Sequence, residues 1–243
     1  VQLKKTSISL QQAFDSTFHH KLNFDDFLNL NVAHECEYIS NEKINPSIKL
    51  KKYLKFLNGF VFNYAKVNTN VVHSYIRKKS PLTAVIPHVN SKFFFQTDIQ
   101  NFFNSITKQD IEIILDTNLE NVPINDIYQY KNQLLNIITL NDILPVGFPT
   151  SPNISNSFLF TFDDALEKYC KNNEIIYTRY CDDIILSTNN ENSLDNIQYI
   201  ISKYLSDFYN DRIKINLNKT KYTHKGNKIK LLGIVILPSG KTT

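Results

Sequence analysis

With 243 residues, 42% of them hydrophobic, the chain is long enough for one large domain or two small ones and can bury a sizeable core. No stretch of about 18 consecutive apolar residues occurs, which excludes a helix that spans a membrane; Val1-Gln2-Leu3-Lys4-Lys5 also lacks the apolar run of a secretory signal. The net charge is only +4, yet residues 212–243 carry eight Lys or Arg and no Asp or Glu. Such a run is either a solvated face or the footprint of a phosphate-rich partner, and its alternation with apolar residues favours the second.

Cys36, Cys170 and Cys181 are too few and too scattered for a disulfide framework and point to a reducing, cytoplasmic setting. His19-His20 reads as a solvated pair on a helix. The sequence contains no Met, even at position 1, so the natural chain is expected to start earlier or to be part of a longer protein.

Residues 1–45 hold aromatic and apolar residues without a clean period, among them Phe14, Phe18, Phe24 and Phe27, and read as short helices and loops. From Ile48 the pattern sharpens: Leu50, Leu54, Leu57, Val61 and Tyr64 recur at helical steps after the start signal Pro46-Ser47. Arg77-Lys78-Lys79-Ser80-Pro81 is a basic loop. Residues 92–98 read as a buried strand ending on the carboxylate of Asp98. Ile111, Ile114 and Leu115 suit a short helix, and Ile127, Tyr130, Leu134 and Ile138 another. Residues 144–152 form the richest turn signal in the chain. A helix follows with Ile154, Phe158, Phe162, Leu166 and Tyr169 on one face, Ser151 as cap and Pro152 in its first turn.

Residues 175–188 read as a tight β-hairpin with Asp182 and Asp183 at or beside its tip. Ile197, Ile201, Leu205 and Phe208 mark a further helix; residues 212–217 and 230–237 read as strands. From 92 to 217 the order is strand, helices, strand, strand, helix, strand, the split plan of a ferredoxin-like sheet. In that plan the first strand lies beside the hairpin, so Asp98 comes within reach of Asp182, 84 residues further on (182 − 98).

Two adjacent carboxylates raise each other's pKa, and a bound divalent cation turns that repulsion into attraction. A Tyr-x-Asp-Asp string alone is equally a solvated turn. With Asp98 beside it, the three carboxylates make a hard, oxygen-rich site of the kind magnesium prefers. Two such ions, roughly 3.5–4 Å apart, suit phosphoryl displacement. Asp98 and Asp182 are the expected bridging ligands and Asp183 the accessory one.

These residues carry a resemblance. Phe95-Gln96-Thr97-Asp98-Ile99-Gln100-Asn101-Phe102-Phe103 resembles the first catalytic motif of reverse transcriptases. Gly147-Phe148-Pro149-Thr150-Ser151-Pro152-Asn153 resembles their template- and nucleotide-binding motif, and Tyr180-Cys181-Asp182-Asp183 their Tyr-x-Asp-Asp signature. Asn216-Leu217-Asn218-Lys219-Thr220 resembles the next motif, and Leu232-Gly233-Ile234-Val235-Ile236 the primer-grip strand. Upstream, Ile44-Asn45-Pro46-Ser47 and Arg77 to His88 resemble the fingers of bacterial enzymes from retrons, group II introns and phage defence. The resemblance covers roughly residues 44–237.

The resemblance implies an α+β right-hand polymerase with fingers and palm, the palm a ferredoxin-like antiparallel sheet with helices on one face, and no thumb within this chain. Fingers are expected at 1–90 and 111–145, palm at 91–110 and 146–243. The implied activity is RNA-directed DNA polymerisation in a retron or anti-phage system, with two Mg2+ ions. An RNA template (a dedicated non-coding RNA among the candidates), a DNA or RNA primer and deoxynucleoside triphosphates are the implied partners. A second copy or a partner protein is open.

Residue by residue, the resemblance implies that Asp98, Asp182, Asp183 and the Ile99 carbonyl hold metal. It makes Lys219 a candidate general acid, with a surface lysine near phosphate as the alternative. Phe103 matches the steric gate under the sugar, with a buried aromatic pair, Phe102-Phe103, as the alternative. Gly147 and Pro149, with Arg77 and Lys79, would face the nucleotide; Thr150, Ser151, Pro152, Leu232 and Gly233 would face template and primer. For Gly147 a plain turn glycine, and for Arg77 and Lys79 a solvated basic loop, are the alternatives. Two departures stand out: Val146 replaces a usual Gln, and Asn41 stands where an Arg is usual. Template-independent or protein-primed synthesis on the same palm, and an inactive nucleic-acid-binding or assembly module, are the rival readings.

Overall fold

The computed structural model describes residues 8–40, 43–226, 228–237 and 242. Asn41 lies outside the described residues, as do residues 1–7 and Lys241. The chain forms two compact units, Val1–Lys66 with Phe103–Phe158, and Val67–Phe102 with Leu159–Thr243. Among the described residues no helix is long and apolar enough to cross a membrane. Cys36, Cys170 and Cys181 are all free.

The first unit is mostly helical. Its aromatic core is the N-terminal set that showed no period: Phe14 stacks on Phe27 at 5.1 Å, and Tyr53 and Phe56 close around them. Leu10–Phe18 and Phe24–Leu28 are too short to display a stripe, so their apolar residues look scattered until the helices pack. Ser9 and Gln12 form a capping box at the first of these. The helix read from Ile48 runs Ile48–Phe60, with Leu50, Leu54 and Leu57 fully buried as the stripe requires. Ser47 caps it, accepting the Leu50 N–H at 3.1 Å. Val61 and Tyr64 fall beyond its end, at and within the 3-10 turn Phe62–Tyr64.

The turn at 144–152 carries a close contact. Val146 accepts from the Ile44 N–H at 2.9 Å. Gly147 has φ +115, and a Cβ there would lie 2.0 Å from the Ile44 carbonyl oxygen. The helix after the turn is Ser151–Phe158. Ser151 is its first residue rather than its cap, and its hydroxyl donates back to the Pro145 carbonyl at 2.6 Å. The apolar series expected to continue through Tyr169 belongs to two helices, since the chain breaks at Leu159 before Phe160–Asn172.

The second unit is built on a four-stranded antiparallel sheet, ordered Ile176–Tyr180, Asp183–Thr188, Phe93–Asp98, Lys221–His224. The expected hairpin and its neighbouring strand are both present, and the register sets Asp98 opposite Asp183. Strand side chains alternate between faces. Phe94, Gln96 and Asp98 therefore share a face with Ser187, Ile185 and Asp183. Away from the carboxylates that face is covered: Phe94 and Ile185 pack with Val85, Ile229, Leu231 and Ile236. Tyr177 and Arg179 point to the opposite face, where they meet Asp163 of the Phe160–Asn172 helix. That helix packs with Ile197–Tyr209. In the latter, Tyr209 rather than Phe208 completes the buried stripe.

Two strand readings change. Residues 212–217 form no strand; Ile215 makes one bridge to Ile99 before Asn216 starts a turn, and the fourth strand is Lys221–His224. Residues 230–237 are not one strand but part of a hairpin, Ile229–Leu231 with Ile234–Ile236. Its turn, Leu232-Gly233, has φ +49 and +84, both left-handed as a type I′ turn demands. Residues 71–73 pair alongside Arg179, with His73 N–H to the Arg179 carbonyl at 2.8 Å, so this stretch clusters with the sheet.

The two glycines of the first unit should respond oppositely to alanine. Gly59 lies in the Ile48–Phe60 helix with nothing within 4 Å of a new Cβ. Gly59→Ala is expected to stabilise by roughly 0.5–1 kcal/mol. Gly147→Ala combines a left-handed backbone with a clash against backbone and is expected to cost more than about 2 kcal/mol. Chemical denaturation of both variants checks the contrast.

Candidate active site

The site in the second unit begins with the last residue of one strand and the first of its neighbour. Asp98 ends Phe93–Asp98, and Asp183 opens Asp183–Thr188. Asp98 is 6% exposed. Its Oδ2 accepts from the Lys219 ammonium at 2.5 Å, and its Oδ1 is buried without a hydrogen-bond partner among the described residues. Asp183 is exposed. Its carboxyl is pushed up to about 6 by partial burial, then by the charges of Asp182 and Asp98, with Lys219 acting the other way. The Lys219 pKa is raised, first by its hydrogen bond to Asp98 and then by that residue's charge.

Lys219 reaches Asp98 from the turn after Ile215. The Asn216 N–H donates to the Asp98 carbonyl at 2.8 Å, and the Lys219 N–H closes the turn on Asn216 at 3.0 Å. Thr220 and Thr97 join hydroxyls at 2.7 Å beneath it. An open cleft of about 200 Å3 is lined by Asp98, Asp183, Lys219, Lys221 and Leu232, which brings one expected primer-grip residue to the carboxylates.

Asp182 lies in the two-residue turn between Tyr180 and Asp183. Cys181, the first turn residue, is left-handed at φ +57, a position that favours glycine and costs a side-chain-bearing residue roughly 1–2 kcal/mol. The carbonyl of Asp182 accepts from the Ile99 N–H at 3.1 Å. That of Cys181 accepts from Arg179 Nη1 at 2.7 Å.

Arg179 is itself fully buried. Its Nε and Nη2 donate to the two oxygens of Asp163 at 2.8 and 2.6 Å, and the Tyr177 hydroxyl donates to Asp163 Oδ1 at 2.7 Å. None of these three residues stands out as a site residue in the sequence. The signal was there: an arginine inside the apolar run 175–180 is an expensive place for a charge, and such a residue implies a buried carboxylate partner.

Among the described residues no three His, Cys, Asp or Glu side chains close round a single point. What the site offers is a facing pair, Asp98 and Asp183, with Asp182 beside them. The orphaned Oδ1 of Asp98 and the raised pKa of Asp183 both mark places that a cation would stabilise, and all the donors are hard oxygens. This donor set fits a magnesium-like ion.

The other expected residues are placed as follows. Arg77 is exposed on its loop. Lys79 folds back, its ammonium donating to the carbonyls of Val72, at 2.8 Å, and Thr69. Phe102 is buried and Phe103 half-buried. Phe103, Gly147, Pro149, Thr150, Ser151 and Pro152 belong to the first unit. There the close backbone approach allowed by Gly147 is to Ile44. The Pro149 carbonyl accepts from Asn58 at 2.6 Å, and the buried Thr150 hydroxyl has no partner among the described residues.

A sheet of this order, with carboxylates opposed at its hairpin end, defines the palm class of nucleic-acid polymerase folds. Within that class the chain belongs to the reverse transcriptase (RNA-dependent DNA polymerase) family, which it matches over residues 27–236. Among its relatives, the retron Ec83 reverse transcriptase of Escherichia coli is 32% identical over 176 residues, covering 69% of this chain and 55% of the relative. The retron Ec73 reverse transcriptase of the same organism is 29% identical over 205 residues, covering 79% and 63%. The chain thus spans little more than half the length of these curated relatives. Among solved structures, apo telomerase from Candida tropicalis shares the fold at a TM-score of 0.52 and 12% identity, covering 96% of this chain and 41% of that one.

Asp183 makes the site sensitive to pH. Its folded-state pKa lies above the unfolded value near 3.8, at about 6, so the folded protein binds this proton more tightly. The associated stability is present below about pH 4 and is lost as pH rises through 6. In metal-free buffer, Asp183→Asn is therefore expected to melt higher than the parent at pH 8, with a much narrower gap at pH 4.5. Added Mg2+ should narrow the pH 8 gap. Thermal melts at the two pH values check this.

Proposed function

We propose that this chain is the fingers and palm of an RNA-directed DNA polymerase of the retron type. The carrying observation is the confinement of Asp98 opposite Asp183, with an orphaned buried oxygen on Asp98 and the lysine Lys219 against its other oxygen. In this reading the primer 3′-hydroxyl attacks the α-phosphorus of a deoxynucleoside triphosphate, and pyrophosphate leaves. Asp98, Asp182, Asp183 and the Ile99 carbonyl would hold two Mg2+ ions, which when bound stabilise charge on the attacking and leaving oxygens. Lys219 would give its proton to the pyrophosphate.

Phe103 would exclude a 2′-hydroxyl, the group that separates the two sugars. Gly147, Pro149, Arg77 and Lys79 would bound the nucleotide. Thr150, Ser151, Pro152, Leu232 and Gly233 would guide template and primer, and the position of Leu232 in the carboxylate cleft supports that role. Fingers at 1–90 and 111–145 with palm at 91–110 and 146–243 remain the functional division, which need not coincide with the compact units. The kinship with retron enzymes supports an RNA template, a DNA or RNA primer and a retron or anti-phage setting.

The test is single-nucleotide incorporation on an RNA template with Mg2+, using the full-length protein. Asp182→Asn is expected to lower incorporation by at least ~10²-fold while keeping a cooperative melt. Lys219→Ala should lower the rate by ~10²–10⁴-fold if it acts as the acid. Undiminished synthesis by Asp182→Asn defeats the proposal. Synthesis that survives omission of the RNA favours template-independent or protein-primed polymerisation instead.

A further inference from the structure

We propose that Arg179 is a positioning residue that aims the metal-binding turn; the inference rests on the polymerase reading for its metal and its reaction. Asp182 occupies a two-residue turn whose first residue is left-handed, so little in the local backbone preference holds it. Instead both carbonyls that bracket Asp182 are gripped from outside. Its own accepts from Ile99 N–H at 3.1 Å, and the preceding one, on Cys181, accepts from Arg179 Nη1 at 2.7 Å. The first bond ties the turn to the strand carrying Asp98. The second fixes the plane of the Cys181–Asp182 peptide and with it the direction in which Asp182 leaves the backbone.

Arg179 can do this because its own plane is fixed. Nε and Nη2 meet Asp163 side by side, leaving Nη1 aimed at Cys181, and Tyr177 holds Asp163 from the hairpin itself. Lysine has no such fork. The pleat puts this clamp on the face of the hairpin opposite to Asp183, so it steers the turn without entering the cleft. Stability alone is a poor reason for it, since an apolar pair of similar volume often replaces a buried ion pair at no cost. What an apolar pair cannot do is hold the Cys181 carbonyl.

Two variants of the full-length protein test the assignment: Arg179→Lys, which keeps the charge, and Asp163→Leu with Arg179→Met, which removes both charges together. Mn2+ titration by calorimetry without substrate is expected to show affinity weakened ~10-fold or more in each. Amide exchange at Asp182 and Asp183 in the metal-free protein should quicken, while the Ile197–Tyr209 helix keeps its protection. In incorporation assays kcat should fall with the nucleotide KM little changed.

A variant that melts cooperatively and keeps parental Mn2+ affinity and turn protection overturns the proposal. So does failure of both variants to fold, which would make the pair structural. A parent protein without polymerase activity would defeat the function proposed above, while the exchange comparison would still judge Arg179.

Discussion

The antiparallel register between Phe93–Asp98 and Asp183–Thr188 governs everything else in the site. Two like charges would not choose to face one another. They are held there because the same strand face is apolar at its other end, where Phe94 and Ile185 lie under Val85, Ile229, Leu231 and Ile236. A slip of one residue would turn one strand's core residue to the wrong side and lose about 1.5–3 kcal/mol for each apolar side chain exposed. Hydrophobic packing thus fixes the carboxylates in a conflict that a cation, or a proton on Asp183, relieves. Lys219 supplies one such cation from a neighbouring turn, and the buried Oδ1 of Asp98 leaves room for another kind.

The hairpin serves two masters by alternation. Thr178 faces inward to His88, in a buried network that also includes Ser187, whereas Tyr177 and Arg179 face Asp163 on the helix side. The carboxylates therefore stand above one packed layer while their turn is steered from the other. The strained backbone at Cys181 lies where the two influences meet. There the surrounding structure holds a side-chain-bearing residue against the local preference for glycine.

Much of this was legible in the sequence where a single element carried its own period. Leu50, Leu54 and Leu57 announced a helix, and the runs at 92–98 and 175–188 announced adjacent strands. Other features depended on partners. Phe14, Phe27 and Tyr53 form one aromatic core, but they come from three helices, two of them short, and so show no common stripe. Ile213 and Ile215 alternate with charges as a strand would, yet the turn at Asn216 ends the pairing after one bridge. The Leu232-Gly233 turn hides in an apolar run, because nothing local signals that a leucine will adopt positive φ. The role of Arg179 required knowing where Asp163 falls, sixteen residues earlier on a helix.

Each compact unit is assembled from two separated stretches of chain. This has a consequence for how the protein is born. The apolar strand Phe93–Asp98 leaves the ribosome 85 residues (183 − 98) before its partner Asp183 does. At about 5–20 residues per second, that is a wait of roughly 4–17 s with Phe93, Phe94 and Phe95 lacking their sheet. Synthesis of this protein therefore passes through an interval in which its central strand must be shielded from other nascent chains.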